Sequence, residues 1–232
     1  MDAIAFANSQ FETLRIALGD YCWLLTRGYA GTSSLKLVGD KYQLVDRQRL
    51  LLMRSACSEE QSVRRQQTLR PCSTLRGRDL YLDGFNVLIT IESALSGGFI
   101  FVGQDGCYRD LSSVHGTYKR VQETHDAVRL IGETLRELGV RQTAWLLDKP
   151  VSNSGRLRQI LNEAAQQSGW NWQVVLCQSP DTELRRIAET VVSTDSAILD
   201  AASDWFHLNK QIIDQHIPLV RLIDLRRDDP ST

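Results

Sequence analysis

The residues that decide the fold are Leu80-Tyr81-Leu82-Asp83-Gly84-Phe85-Asn86-Val87-Leu88-Ile89. An apolar run ends in an acid, a glycine and an asparagine, and apolar residues then resume. This pattern predicts a buried β-strand that delivers Asp83 to the edge of a sheet. Gly84 lets the backbone turn tightly after the strand, and Asn86 places a polar hook in the turn. Open α/β sheets bind ligands beyond the carboxyl ends of their strands, so an acid there is a candidate site residue. Read alone, Asp83 fits equally well as the cap of the helix that follows.

Outward from this stretch, strands and helices alternate. Strands are predicted at 80–83, 99–102, 144–148, 172–176, 191–194 and 218–223. Between them, helices are predicted at 86–96, 124–138, 156–169, 181–189 and 197–202, with apolar residues at helical spacing, as in Ala127, Val128, Leu130, Ile131, Leu135 and Leu138. The expectation for residues 80–232 is an α/β domain, a mostly parallel sheet flanked by helices. Residues 1–56 read as a small all-helical N-terminal module, too small to hold a large core by itself. Residues 57–79 form an Arg-rich linker or helix containing Arg64, Arg65, Arg70, Arg76 and Arg78. That segment is either a solvated surface or a phosphate-contacting patch.

The composition is that of a globular protein: 42% hydrophobic and 24% charged over 232 residues, with a net charge of −1. Overall charge therefore gives no pointer to nucleic acid, and such binding would need a local patch. No apolar run approaches the roughly 20 residues that span a bilayer. Residues 1–20 mix acids with apolar residues and do not read as a signal peptide. A cytoplasmic protein without a membrane partner is expected, and a homo-oligomer is left open. Cys22, Cys57, Cys72, Cys107 and Cys177 form no CxxC pair, which argues against a structural zinc site. The sequence contains no HxxxH, GxSxG or P-loop, which argues against zinc-hydrolase, serine-nucleophile and Walker-type chemistry.

Acids recur at equivalent places along the alternation. Asp83, Asp148 and Asp195 each end a predicted strand, and Asp181 opens a helix soon after the strand that ends at Leu176. A parallel sheet collects these positions on one edge. Carboxylates meeting there repel one another unless they protonate or bind a cation. An all-oxygen cage suits Mg²⁺ or Mn²⁺, and such ions activate water for phosphodiester hydrolysis. Asn86, Thr194 and Ser196 are candidate supports for the carboxylates. Each acid, taken singly, also fits as a helix cap.

Residues 80–200 resemble a PIN-like domain of the NYN type, a Rossmann-like group of metal-dependent nucleases. The matching pieces are Leu82-Asp83-Gly84-Phe85-Asn86-Val87, Leu147-Asp148, Pro180-Asp181 with Glu183, and Val192-Ser193-Thr194-Asp195. The resemblance implies Asp83, Asp148, Asp181 and Asp195 as metal ligands, with Asn86 and Thr194 in support. The whole chain also resembles an uncharacterised family of two-domain archaeal and bacterial proteins. That likeness runs through Arg27-Gly28-Tyr29, Lys36-Leu37-Val38-Gly39-Asp40 and Arg47-Gln48-Arg49, and through residues 80–155.

Two segments depart from a plain PIN-like pattern. Residues 103–120 form a polar loop whose Arg109, His115, Tyr118 and Lys119 could close over a substrate, the cations on phosphate and the ring on a base. A well-bonded surface loop is the alternative. Residues 148–156 carry Ser152, Ser154 and Arg156 at a helix start, either an anion-binding nest or an ordinary capped helix. The sequence expectation is a Mg²⁺- or Mn²⁺-dependent nuclease acting on RNA rather than DNA. The alternatives are a catalytically inactive RNA- or protein-binding module, and a metal-dependent phosphatase acting on small nucleotides.

Overall fold

The computed structural model describes residues 5–112 and 121–226. The first four helices are α1 (Phe11–Thr26), α2 (Gly31–Lys41), α3 (Asp46–Ser55) and α4 (Glu59–Thr68). They are followed by β1 (Asp79–Asp83), α5 (Gly84–Leu95), β2 (Phe99–Val102), β3 (Tyr108–Arg109), α6 (Val121–Glu137) and β4 (Gln142–Asp148). The remainder is α7 (Ser154–Ser168), β5 (Trp172–Cys177), α8 (Pro180–Leu184), β6 (Thr190–Val192), α9 (Ser196–Ala201), β7 (Asp204–Trp205), α10 (Leu208–His216) and β8 (Arg221–Asp224). The chain forms two units. One comprises Met1–Gln67, Phe99–Leu111 and Leu222–Thr232; the other comprises Thr68–Gly98 and Ser112–Arg221.

The second unit holds a five-stranded parallel sheet in the order β5-β4-β1-β6-β7. β1 lies at its centre, with Asp83 opposite Leu146 of β4 and Leu82 opposite Val192 of β6. The chain moves outward from β1 through β4 to β5, then returns to β1's other side with β6 and β7. The strand order therefore reverses between β1 and β6, and the crevice at their carboxyl ends is the place where open sheets of this kind bind ligands. The central strands read as continuous apolar runs because both their faces are covered. Thr143 through Leu147 are buried in succession, whereas the outer strand β5 is only half-buried. Trp172 packs against Trp145 at 5.1 Å and Trp170 at 4.7 Å between ring centroids. Gly132 leaves room for this stack, since a Cβ there would lie 2.2 Å from the Trp170 ring.

The first unit packs α1–α3 around Leu14, Leu18, Leu51 and Leu52, all fully buried, with Phe6 edge-on to Phe101 at 5.0 Å. Its three-stranded sheet has the order β3-β2-β8. This corrects the sequence expectation of one α/β domain over 80–232. The strands predicted at 99–102 and 218–223 exist, as β2 and β8, but they pair with each other, and β2 with β3, rather than joining the parallel sheet. Local patterning identifies a strand and does not name its partner. The helix expected over 181–189 ends at Leu184, and β7 and α10 were not predicted. Among the described residues no helix is long and apolar enough to cross a membrane.

Candidate active site

Asp83 ends β1 and occupies the N-cap position of α5, but its side chain makes no capping hydrogen bond. It is 6% exposed, and Oδ2 accepts a 2.8 Å hydrogen bond from Ser193 Oγ. The cap reading therefore fails for this residue. Gly84 follows because α5 starts against β4: a Cβ there would sit 2.4 Å from Leu147 Cδ2 and 3.0 Å from the Leu146 carbonyl oxygen. Close approach, rather than a turn needing positive φ, is what requires glycine here.

Burial first, and then the carboxylates of Asp181, Asp195 and Asp148, push the Asp83 carboxyl up to about 7 against the lowering effect of the Ser193 bond. Asp148, the last residue of β4, is raised by burial and then by Asp181. Asp181 is raised by burial and then by Asp195, with Arg185 acting in the opposite sense. Ser179, not Asp181, caps α8. The four acids predicted from the sequence thus share one edge of the sheet and repel one another across it.

Asp195 is a cap as well as a member of the cluster. Its Oδ1 accepts from Ala197 N at 2.9 Å and Ile198 N at 3.1 Å at the start of α9. Asn86 and Thr194 are joined as well: Asn86 Oδ1 accepts from both the backbone N and Oγ1 of Thr194, each at 3.0 Å. Ser196 follows as the first residue of α9. The residue that sequence reasoning missed is Ser193. It is 2% exposed, donates to Asp83 and accepts from Asp195 N at 3.0 Å.

The remaining predicted residues separate. Ser154 is buried, and its hydroxyl is turned onto the carbonyls of Asp148 and Val151, closing the loop between them. Ser152 and Arg156 are exposed around the start of α7. Arg109 corrects the expectation of a phosphate contact. It is 6% exposed and pairs through both Nη atoms with Asp105, at 2.8 and 2.7 Å, while Arg65 reaches the same carboxylate at 2.6 Å. Burial acts to raise Asp105, but the two guanidiniums outweigh it and hold the carboxyl well below the usual range. Residues 103–107 are a β2–β3 turn closed by Gly103 N bonding to Cys107 O, not a substrate flap. His115, Tyr118 and Lys119 lie outside the described residues. All five cysteines are free, and burial pushes the Cys57 thiol up to about 12, so it behaves as a small core residue.

The donor set is entirely oxygen and carries charge that burial and repulsion disfavour, which fits a hard divalent cation. As placed, no three His, Cys, Asp or Glu side chains among the described residues stand close enough to hold a metal ion together.

Fold and site define an open, parallel α/β protein with a carboxylate-lined crevice at its topological switch point. The chain belongs to the family described as a domain of unknown function (DUF5616), which matches residues 72–211. Residues 13–67 match a second family, described as a protein of unknown function (DUF434). An uncharacterized protein of Methanocaldococcus jannaschii is 31% identical over 180 residues, covering 78% of this chain and 86% of the relative. No solved structure matches the chain.

Proposed function

We propose that the acid edge is the active site of a divalent-metal-dependent nuclease acting on RNA. One observation carries the reading: a buried carboxyl with a pKa near 7, at the switch point, facing three further carboxylates. Structural caps have no need of such an arrangement, because it costs stability. Asp83 and Asp148, with Asp181 and Asp195 around them, would hold Mg²⁺ or Mn²⁺. The bound ion would supply an activated water and neutralise charge on the phosphodiester. Ser193 holds Asp83 in place, and the Asn86–Thr194 pair fixes the turn that carries Asp195. Arg156, exposed at the start of α7, is available to the phosphate backbone. The resemblance of residues 80–200 to PIN-like domains of the NYN type supports the same reading.

A screen of RNA and DNA oligonucleotides against mononucleotides, with Mg²⁺ and Mn²⁺, separates this activity from a phosphatase acting on small nucleotides. Hydrolysis of mononucleotides alone would sink the nuclease reading. A second reading is favoured by the wide spacing of the carboxylates and by the capping role of Asp195: a binding module that does not cut. RNA binding that EDTA leaves unchanged, with no cleavage under either metal, would select it.

A further inference from the structure

The structure sorts the arginines of residues 54–78. Arg65 is buried on Asp105, and Arg54 donates to the Asp110 carbonyl. Arg70, Arg76 and Arg78 belong to the second unit, where they gather with Arg141 at the amino edge of the parallel sheet, the end opposite the acids. Arg78 immediately precedes β1 and Arg141 immediately precedes β4, and Arg141 N bonds to Arg78 O at 2.8 Å. Arg70 Nη2 and Arg78 Nη1 reach the two oxygens of Asp204, which starts β7, at 2.5 and 3.7 Å. Arg141 makes a two-pronged pair with Asp79 at 2.8 and 2.6 Å.

Arg76 lies flat across Gly139, so that a Cβ at that position would sit 3.1 Å from its Nη1. Its guanidinium is exposed and has no carboxylate partner among the described residues. The buried Nε of Arg70 also lacks a hydrogen-bond partner. Asp79, Asp204 and Glu189, which stands just before β6, are among the carboxylates of the described residues at this edge. The first two act as struts that fix guanidiniums while leaving part of each fork open.

We propose that this amino edge is a second phosphate-contacting surface, binding the backbone of a nucleic-acid strand at a distance from the acid edge. Guanidinium forks match phosphate geometry. The inference rests on the nuclease reading for the identity of the strand. The seven residues of β4 separate the two edges by about 20 Å, close to the rise of about six stacked nucleotides. A mononucleotide cannot touch both edges, whereas an RNA strand long enough to pass over the helices that cover the sheet, such as a 20-mer, can.

The test uses the full chain and a fluorescein-labelled 20-nucleotide single-stranded RNA, with anisotropy read in EDTA across a salt series. Arg76→Gln alone leaves every ion pair above intact, and Arg76→Gln/Arg78→Gln removes two cations. The double variant is expected to bind severalfold more weakly, with the slope of log affinity against log salt reduced by about 1.4. The single variant should show about half of that change. Cleavage of a four-nucleotide RNA with Mn²⁺ should be unchanged in both. Equal binding of the 20-mer by wild type and double variant, absence of binding by wild type, or equal loss on the four-nucleotide RNA would each overturn the proposal. A wild type that binds the 20-mer and cuts nothing would instead refute the nuclease reading and leave this surface standing.

Discussion

Ser193 Oγ lies 2.8 Å from Asp83 Oδ2 and 3.0 Å from the backbone nitrogen of Asp195. One buried hydroxyl thus ties the end of β1 to the turn after β6, across the point where the strand order reverses. It donates to the first carboxylate and accepts from the backbone of the last, so the spacing of the two acids depends on it.

Ser193→Ala removes a donor from a buried carboxyl and an acceptor from a backbone N–H. The expected cost is about 1–3 kcal/mol of stability, read by urea unfolding. Mn²⁺ affinity should fall by about tenfold or more, the usual effect of losing a partner that orients a ligand. Unchanged Mn²⁺ affinity in a folded variant would show that Ser193 does not position the site.

The raised Asp83 carboxyl gives a pH signature. Below pH 4 it is protonated whether the chain is folded or unfolded. Between about 4 and 7 the folded protein retains a proton that the unfolded chain has released, so stability falls as pH rises, and it levels off above 7. The loss amounts to about 4 kcal/mol for a pKa near 7. In EDTA, Asp83→Asn should gain stability relative to wild type across that window. A difference that does not change from pH 4 to pH 8 would remove the evidence for a strained acid.

Gly84→Ala places a methyl group against the Leu146 carbonyl and the Leu147 side chain. The start of α5 must then move away from β4, at a cost of about 1–3 kcal/mol. Circular dichroism melts should show a lower Tm. An unchanged Tm would mean that α5 and β4 are not in the close contact described.

Arg109→Ala tests the correction made to the sequence reading. Removing one guanidinium from buried Asp105 should destabilise the protein by about 3 kcal/mol or more. RNA cleavage at a temperature where the variant remains folded should be unaffected. A selective loss of RNA affinity with unchanged stability would restore Arg109 as a phosphate contact.

Much of this architecture was legible because it is written locally. Apolar runs bounded by glycine and acid marked β1 and β4, and the positions of Asp83 and Asp148 at strand ends and of Asp195 in the turn after β6 brought them to one edge once the strands were parallel. What escaped was non-local. Phe99–Val102 reads as a strand in either sheet, and only pairing with Tyr108–Arg109 assigns it. Arg109 looked like a surface cation because its partner Asp105 lies across a tight turn and Arg65, which shares that carboxylate, is distant in sequence. Asp204–Trp205 is too short to carry a period, so β7 was invisible. Ser193 gave no pattern of its own, since its role depends on a carboxylate 110 residues away.

The most direct test is cleavage of single-stranded RNA by wild type and Asp83→Asn side by side, in Mn²⁺ and in EDTA. Wild type should cut in Mn²⁺ and not in EDTA, and Asp83→Asn should be folded and inactive in both. Equal cutting by the folded Asp83→Asn variant, or no cutting of RNA or DNA by wild type with either Mn²⁺ or Mg²⁺, would contradict the assignment of the acid edge as a metal-dependent nuclease site.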